Sequence, residues 1–266
     1  MKKYKKIWGL LIIALGMFYL VPMLISDELS NGQASKSIYG KTDINDYLSG
    51  RFSPESHSLF VALDIPDIYG RKQYLRKEVA DAFKKMSDDF SKDHPKIKFY
   101  VRSATRTYRE QARIWNRKWR ANSSIKDKRK RALKILEYSA MPGTSRHHWG
   151  TDFDIDELNF DIKELDFDIN ELNNEYYLAG NGKIIYSWLK DNAAKYGFYQ
   201  PYTADRTTGH NEEKWHWSYK PLASQFIRDW NETFAEDYRK LKGFYGDGFA
   251  LPMAKEYVNA INPDCL

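Results

Sequence analysis

The stretch that decides the fold reads Ser-Arg-His-His-Trp-Gly-Thr-Asp-Phe-Asp over residues 145–154. A second stretch, Glu-Lys-Trp-His over residues 213–216, adds a further histidine and a glutamate. Together they offer two imidazoles, a carboxylate and a further glutamate. A catalytic zinc site requires these groups, because three protein ligands leave a fourth position open and a base stands beside it.

His147 has the most informative surroundings of the six histidines, since Gly150 and Asp154 follow it at spacings of three and seven residues. In a strand around Asp154, the apolar neighbours would point into the core and the carboxylate to the other face. Gly150 would let the backbone turn so that His147 and Asp154 converge. His216 stands between two tryptophans that would wall the site. The arrangement indicates a candidate metal site.

Neighbouring residues compete for both roles. Asp152 would lie on the same strand face as the other aspartate, and His148 is adjacent to His147, so both are alternative ligands. Glu212 is a rival to Glu213 as the base. In an extended stretch the two glutamates would face opposite ways, so only one of them can serve.

The net charge of +6 does not indicate a nucleic-acid partner. Lys2, Lys3, Lys5 and Lys6 supply four of the 42 basic residues, which leaves 38 against 36 acidic residues in the remainder. A nearly neutral remainder is a poor nucleic-acid surface, so we expect no such partner. No obligate protein partner is evident from the sequence.

The N-terminal segment predicts export. Residues 7–25 carry no charge, and at about 1.5 Å per residue they reach nearly 30 Å, enough to cross a bilayer core. Residues 1–26 are therefore interpreted as a membrane anchor with the lysines in the cytoplasm, and a cleaved signal peptide is the alternative. The rest of the chain would lie outside a single-pass cell-membrane helix. The single Cys265 cannot form an internal disulfide, so the core or a metal must stabilise that part.

The exported part is predicted to comprise a polar linker over residues 27–55 and one domain over residues 56–266. Hydrophobic spacing and turn residues predict helices over residues 75–90, 108–138 with a break at 122–124, 184–196 and from Pro221 onward. Strands are predicted over residues 97–101, 153–155 and 214–219. This irregular order excludes a regular parallel βαβ fold. It predicts an α+β domain in which helices flank a small antiparallel sheet that carries the metal site.

A short repeat follows the first motif. The pattern Phe-Asp-Ile-x-Glu-Leu begins at Phe153 and recurs at Phe160 and Phe167. Three short copies cannot form a solenoid, so we interpret them as a duplication that lengthens a surface loop. Calcium binding is the alternative, although the spacing matches no calcium loop. The basic cluster at residues 126–131 predicts a solvated helical face, with contact to anionic lipid or wall polymer as the alternative.

The two motifs resemble those of the VanY-type D-alanyl-D-alanine carboxypeptidases. These enzymes belong to a zinc metallopeptidase superfamily that includes lysostaphin-like enzymes and the hedgehog signalling domain. The resemblance rests on Ser-x-His-x-x-Gly-x-x-x-Asp from Ser145 and Glu-x-Trp-His from Glu213. Upstream, residues 103–111 are similar to the family's Ser-x-x-Arg-x-x-x-x-Gln element. Residues 188–198 are similar to a helix, with the turn that ends it, that is typical of these enzymes. The resemblance spans roughly residues 70–222.

The resemblance implies that His147, Asp154 and His216 bind zinc and that Glu213 is the catalytic base. Zinc would lower the pKa of bound water toward neutrality, and Glu213 would take its proton and pass it to the leaving amine. The metal set of two histidines and one aspartate suits zinc well.

The same resemblance implies substrate contacts. Arg106 would neutralise the developing oxyanion, and Ser145 and Gln111 would join it in holding the substrate. The sequence departs from the family pattern at Asp152, where a small residue, commonly alanine, is usual. It departs again in the repeat that lengthens the loop after Asp154.

The function that these residues imply is removal of the C-terminal D-alanine from peptidoglycan stem peptides outside the cytoplasmic membrane. Another wall peptidase, an L,D-carboxypeptidase or an L-alanyl-D-glutamate endopeptidase, is the nearest alternative. A non-catalytic zinc module that binds the wall is the alternative from another class. The presence of both Glu213 and Arg106 argues against that module, because binding alone requires neither.

Overall fold

Short strands and helices alternate along the chain in the computed structural model, which describes residues 38–67, 70–157, 172–234 and 236–266. The strands of these ranges are β1 (Phe60–Ala62), β2 (Tyr74–Arg76), β3 (Phe99–Ser103), β4 (Asp152–Glu157), β5 (Phe198–Tyr199) and β6 (His216–Tyr219). Their α-helices are α1 (Ile44–Ser49), α2 (Lys77–Asp93), α3 (Tyr108–Ala121), α4 (Lys128–Leu136), α5 (Gly180–Asn192), α6 (Lys220–Phe234), α7 (Asp247–Ala250) and α8 (Ala254–Asn259).

Four strands form an antiparallel sheet in the order β3-β4-β6-β5, so the two quoted motifs occupy its central pair. β4 and β6 pair with Phe153 opposite Trp217 and Asp154 opposite His216. β1 and β2 form a separate two-stranded antiparallel sheet. The predicted α+β class with a small antiparallel sheet is confirmed.

One face of the sheet is covered by helices. Phe153 and Ile155 of β4 are fully buried in a core that also contains residues of α2 and α5. The predicted apolar stripe contributes Val79, Met86 and Phe90 of α2 to this core. Since alternate residues of a strand point to opposite faces, Asp152 and Asp154 lie on the other face of β4.

Most predicted element boundaries lie close to the observed ones, but Leu75, the predicted first residue of the first helix, lies in β2, and α2 begins at Lys77. The predicted break at residues 122–124 separates α3 from α4. A 3-10 turn at Ala193–Tyr196 follows α5, and Gly197 then ends the helical segment in the left-handed conformation, with φ of 85°. β3 lies at Phe99–Ser103, two residues later than the strand predicted over residues 97–101.

Residues 43–55 belong to the fold, which corrects the predicted linker over residues 27–55. Tyr47 of α1 is fully buried. Its hydroxyl donates to the Trp149 carbonyl at 2.9 Å and accepts from the Arg76 guanidinium at 3.0 Å. α1 has only six residues. So short a helix shows no clear period, and its polar neighbours dominate the sequence signal.

Two predictions fall outside the described residues, namely the N-terminal span at residues 7–25 and the repeats from Phe160 onward. None of the helices in the described ranges combines the length and the hydropathy that a membrane crossing requires. The anchor and the loop duplication therefore stay predictions.

We expect Tyr47→Phe to lower the free energy of unfolding by about 1–3 kcal/mol, because the buried Trp149 carbonyl and Arg76 guanidinium each lose a partner. The control is Tyr245→Phe, since the Tyr245 side chain is 48% exposed. It should change stability by about 0.5 kcal/mol or less. Urea unfolding measures both variants. Equal stability of the two would show that α1 is not anchored through this hydroxyl.

Candidate metal centre and active site

The three predicted ligands form one buried cluster. His147 lies in a single-turn 3-10 helix (Arg146–Trp149), Asp154 in β4 and His216 in β6. One potential ligand atom from each lies within 4.8 Å of the other two. Strand pairing places Asp154 and His216 directly opposite each other, and the turn before β4 brings His147 beside them.

Gly150 makes that turn possible. Its φ of 72° lies in the left-handed region, which glycine adopts without a steric cost. A Cβ atom at this position would lie 2.4 Å from the Phe60 ring and 3.1 Å from Arg76 Cγ. Conformation and space therefore both favour glycine, in agreement with the predicted convergence of His147 and Asp154.

Hydrogen bonds fix which nitrogen of each imidazole faces the cluster. His147 Nδ1 lies 2.8 Å from the Ala104 carbonyl, which can only accept, so Nδ1 carries the proton and Nε2 has the lone pair. His216 Nε2 lies 3.1 Å from Asp152 Oδ1, which assigns the proton of the neutral ring to Nε2 and the lone pair to Nδ1. Both lone pairs point toward Asp154 Oδ1, at 3.3 Å from His147 and 3.1 Å from His216.

This convergence fits a metal cation. His147 Nε2 and Asp154 Oδ1 are buried and have no hydrogen-bond partner among the described residues. Two lone pairs and a carboxylate oxygen repel one another unless a positive charge lies between them, and leaving buried polar atoms unpaired is costly. Two imidazoles and one carboxylate are a donor set that zinc accepts.

The electrostatics of the cluster also favour a bound positive charge. Burial lowers the pKa of His147 to about 4, so its ring is neutral near pH 7. Burial opposes a charge on His216 too, but the nearby carboxylates of Asp152 and Asp154 outweigh burial and raise the pKa to about 9. Burial would raise the pKa of Asp154, but His147 and His216 hold it well below its usual range. Either a proton on His216 or a metal that displaces it satisfies this environment.

Asp152, the alternative ligand, instead contacts the far side of the His216 ring. Its carboxylate is fully buried and also accepts from Arg146 Nε at 2.7 Å, from the Thr151 hydroxyl at 2.6 Å and from the Ser218 hydroxyl at 3.1 Å. Burial would raise the pKa of Asp152, but Arg146 holds it far below its usual range. A carboxylate that accepts the second N–H of a ligand histidine orients the ring and increases its basicity.

His148, the other alternative ligand, is turned away from the cluster. Its Nδ1 lies 2.6 Å from the Arg106 carbonyl, and its Nε2 accepts from the Gly143 backbone at 3.0 Å. Both nitrogens are therefore used, and burial lowers the pKa of the ring to about 3. His148 is a neutral support for the backbone of Arg106, a role that the sequence did not predict because Arg106 lies 42 residues away along the chain.

The two glutamates do face different surroundings, as predicted. Glu213 is buried, and its Oε2 lies 3.5 Å from His216 Nδ1, beside the cluster. Burial raises the pKa of Glu213 to about 7, in the range that suits a general base. Glu212 instead forms an ion pair with Lys214.

The three predicted substrate-binding residues line a cleft that opens over the cluster. The Arg106 guanidinium lies 4.0 Å from Asp154. Gln111 donates from Nε2 to the Ala140 carbonyl at 2.8 Å, and its Oε1 has no hydrogen-bond partner among the described residues. Ser145 is buried at the base of the cleft.

Unsatisfied polar atoms concentrate in this cleft of about 1740 Å³. Most buried side-chain atoms without a hydrogen-bond partner in the described part of the chain belong to residues that line it: Thr105 Oγ1, Arg106 Nε, Gln111 Oε1, His147 Nε2 and Asp154 Oδ1. Folded chains leave few such atoms unpaired. Their concentration marks the cleft as a ligand-binding site.

A buried His-Asp-His cluster with a buried glutamate beside it, at the base of an open cleft, is the arrangement of a metal-dependent hydrolase. A comparison with protein families identifies the family within this class. The family model described as VanY, D-alanyl-D-alanine carboxypeptidase, matches residues 72–222. The match covers more than half of the chain and includes both motifs, so the chain belongs to the VanY carboxypeptidase family.

The chain is also similar to individual proteins. The chain is 30% identical over 225 residues to YodJ of Bacillus subtilis (strain 168), a protein named provisionally as a carboxypeptidase, with 81% of this chain and 72% of YodJ covered. The solved LdcB LD-carboxypeptidase is 30% identical, with a TM-score of 0.46 over 73% of this chain and 81% of LdcB. A vancomycin-resistance D,D-pentapeptidase VanY, solved with Zn(II), is 21% identical, with a TM-score of 0.42 over 70% of this chain and 87% of that one.

We expect Asp152→Ala to weaken zinc binding by roughly 10–100-fold, because the His216 ring loses the acceptor that orients it. The same change leaves the Arg146 charge buried without its partner, which costs roughly 3–5 kcal/mol of unfolding free energy. Competition with a chromophoric chelator measures the zinc affinity, and urea unfolding measures the stability.

A double variant, Asp152→Ala with Arg146→Met, separates the two effects. Removing both charges should restore most of the stability, because an apolar pair can replace a buried ion pair at little cost. The zinc affinity should stay low, since the His216 ring still lacks its acceptor. Recovery of the zinc affinity together with the stability would contradict an orienting role for Asp152.

Proposed function

We propose that this chain is a zinc-dependent peptidase that removes the C-terminal D-alanine from peptidoglycan stem peptides. The observation that carries the proposal is the convergence of His147 Nε2, Asp154 Oδ1 and His216 Nδ1 in the cleft that also holds Glu213 and Arg106. Membership of the VanY carboxypeptidase family supports the reaction class.

His147, Asp154 and His216 would hold the zinc ion. When bound, zinc supplies a Lewis acid that activates water and polarises the scissile carbonyl. Asp152 orients the His216 ring, and the Ala104 carbonyl orients the His147 ring, so both are ready to bind without rearrangement.

Glu213 is the proposed proton carrier. It lies beside the ligand nitrogen of His216 and is held by its own backbone, which donates to the Tyr202 carbonyl at 2.9 Å and accepts from Gln200 at 3.2 Å. A carboxylate with a pKa near 7 can take a proton from the attacking water and return it to the leaving amine.

Arg106 is the proposed stabiliser of the developing oxyanion. Its carbonyl is fixed by His148, and its N–H donates to the His147 carbonyl at 3.2 Å. The next residue, Thr107, caps α3 through a capping box with Glu110. A guanidinium on so constrained a backbone presents a fixed positive charge, which costs little reorganisation as negative charge develops.

The proposal also specifies which peptide bond is cut. The residues above contact the metal and the scissile carbonyl, whereas the neighbours of that bond are recognised elsewhere in the cleft. Relatives named for D-alanyl-D-alanine and for LD-carboxypeptidase activity both occur. An L,D-carboxypeptidase is therefore the second candidate function, and both substrates belong in the test.

The proposed site of action is outside the cytoplasmic membrane. The uncharged run over residues 7–25, with lysines before it, favours an N-terminal anchor and an exported catalytic domain. The wall peptides proposed as substrates lie on that side of the membrane.

The test is D-alanine release from a muramyl pentapeptide and from the matching tetrapeptide, with zinc content measured on every protein. We expect the wild type to release one D-alanine from the pentapeptide. Glu213→Gln should keep its zinc and lose roughly 10²–10⁴-fold in kcat. The matched control Glu212→Gln should retain most of the activity, since that carboxylate pairs with Lys214 instead.

The alternatives give different results in the same assay. Release from the tetrapeptide alone would replace the proposal by the L,D-carboxypeptidase reaction. Zinc binding without cleavage of either peptide would contradict the peptidase proposal and leave a wall-binding module. Equal losses in Glu212→Gln and Glu213→Gln would contradict the assignment of the base.

A further inference from the structure

Helix α3 presents a basic face to the cleft. Arg113, Arg117, Lys118 and Arg120 line the cleft that contains the metal ligands and Glu213. The side chains of Arg113 and Arg117, called the arginine pair below, are exposed to solvent. The proposed reaction gives no role to either of them.

The arginine pair differs from two other arginines that line the cleft. Arg71 lies 2.6 Å from Asp67, and Arg102 forms an ion pair with Asp156. Within residues 38–67, 70–157, 172–234 and 236–266, neither Arg113 nor Arg117 forms an ion pair with a carboxylate. No carboxylate of the described residues therefore competes with a ligand for these charges.

The fold does not require the arginine pair. Residues four apart on a helix are neighbours, so two arginines at this spacing repel each other and destabilise the helix slightly. α3 is stabilised by other features, namely the capping box at Thr107 and the fully buried Trp115. A binding role explains the two charges better than a role in stability does.

The geometry relates the arginine pair to the reaction centre. α3 begins two residues after Arg106, and Gln111 in its first turns also lines the cleft. At 1.5 Å per residue, Arg113 and Arg117 lie about 7.5 and 13.5 Å along the axis from the start of α3. An extended peptide advances about 3.3 Å per residue. The two arginines are four residues apart, about 6 Å along the helix axis, which corresponds to roughly two residues of an extended peptide.

We propose that the arginine pair recognises free carboxylates on the substrate peptide, on residues that precede the scissile bond. The inference rests on the proposed function and specifies its substrate class: acidic wall peptides, in preference to peptides whose carboxylates are amidated. Guanidinium groups suit this task because they bind a carboxylate through two parallel hydrogen bonds. The peptide is favoured over an anionic wall polymer because the arginine pair lines the same cleft as the reaction centre.

The test compares two pentapeptides that differ only in whether the carboxylates before the scissile bond are free or converted to carboxamides. We expect the wild type to cleave the free acid with a kcat/KM roughly fivefold higher, a modest factor because exposed ion pairs are weak. Raising the ionic strength should reduce this preference. Arg113→Gln with Arg117→Gln should abolish this preference by raising the KM for the free acid.

The matched control is Arg129→Gln with Lys130→Gln. It removes two exposed positive charges from α4, outside the residues that line the cleft. This variant should keep the wild-type preference. Equal cleavage of the two peptides by the wild type, or a preference that survives in the Arg113 and Arg117 variant, would overturn the inference. Lost binding to a phosphate-rich wall polymer with unchanged peptide kinetics would also overturn it.

Failure of the proposed function is distinguishable from failure of this inference. If the wild type cleaves neither pentapeptide, the proposed cleavage of pentapeptides fails, and binding of the same two peptides to the wild type then tests the arginine pair alone. Tighter binding of the free acid, lost in the Arg113 and Arg117 variant, would sustain carboxylate recognition. Equal binding of both peptides would overturn it.

Discussion

The close approach of Asp154 to two imidazole lone pairs is the constraint on which the rest of the site depends. Strand pairing brings Asp154 and His216 opposite each other, and the left-handed turn at Gly150 returns His147 to the same point. Without a cation this arrangement places electron-rich atoms 3.1 and 3.3 Å apart in a buried pocket. The fold holds it because the backbone of the central sheet fixes two of the three ligands.

Strand alternation divides β4 between two tasks. Phe153 and Ile155 pack into the core under α2 and α5, and this packing holds the strand in register. Asp152 and Asp154 lie on the opposite face, where one supports the His216 ring and the other faces the metal position. A shift of one residue in the pairing of β4 would reverse both tasks. Core stability and site geometry are therefore coupled in one strand.

The buried ion pair between Arg146 and Asp152 supports the cluster. Arg146 neutralises the buried carboxylate of Asp152, and the same carboxylate contacts Nε2 of the His216 ring. The buried ion pair therefore also sets the orientation of a candidate metal ligand. Asp152 stands where the family pattern usually has a small residue. In this chain the carboxylate is matched by Arg146 and Ser218, which together satisfy the additional charge.

Much of the fold and of the cluster could be predicted from the sequence because both follow from local patterns. The helical spacing gave α2 and the break between α3 and α4, and strand alternation placed Asp154 on the site face. The roles of Asp152 and His148 could not be predicted, since each depends on a partner far away along the chain, His216 for Asp152 and the Arg106 carbonyl for His148. α1 was missed because six residues carry too little periodicity to outweigh a polar composition.

Anomalous X-ray diffraction at the zinc absorption edge, on crystals of the protein grown with zinc, tests the central claim most directly. The account predicts one strong peak bounded by His147 Nε2, the Asp154 carboxylate and His216 Nδ1, with distances of about 2.0–2.2 Å. Zinc bound by His148 or Asp152 would contradict the account. The absence of a zinc peak at this cluster, in crystals where the cluster residues themselves are fully occupied, would also contradict it.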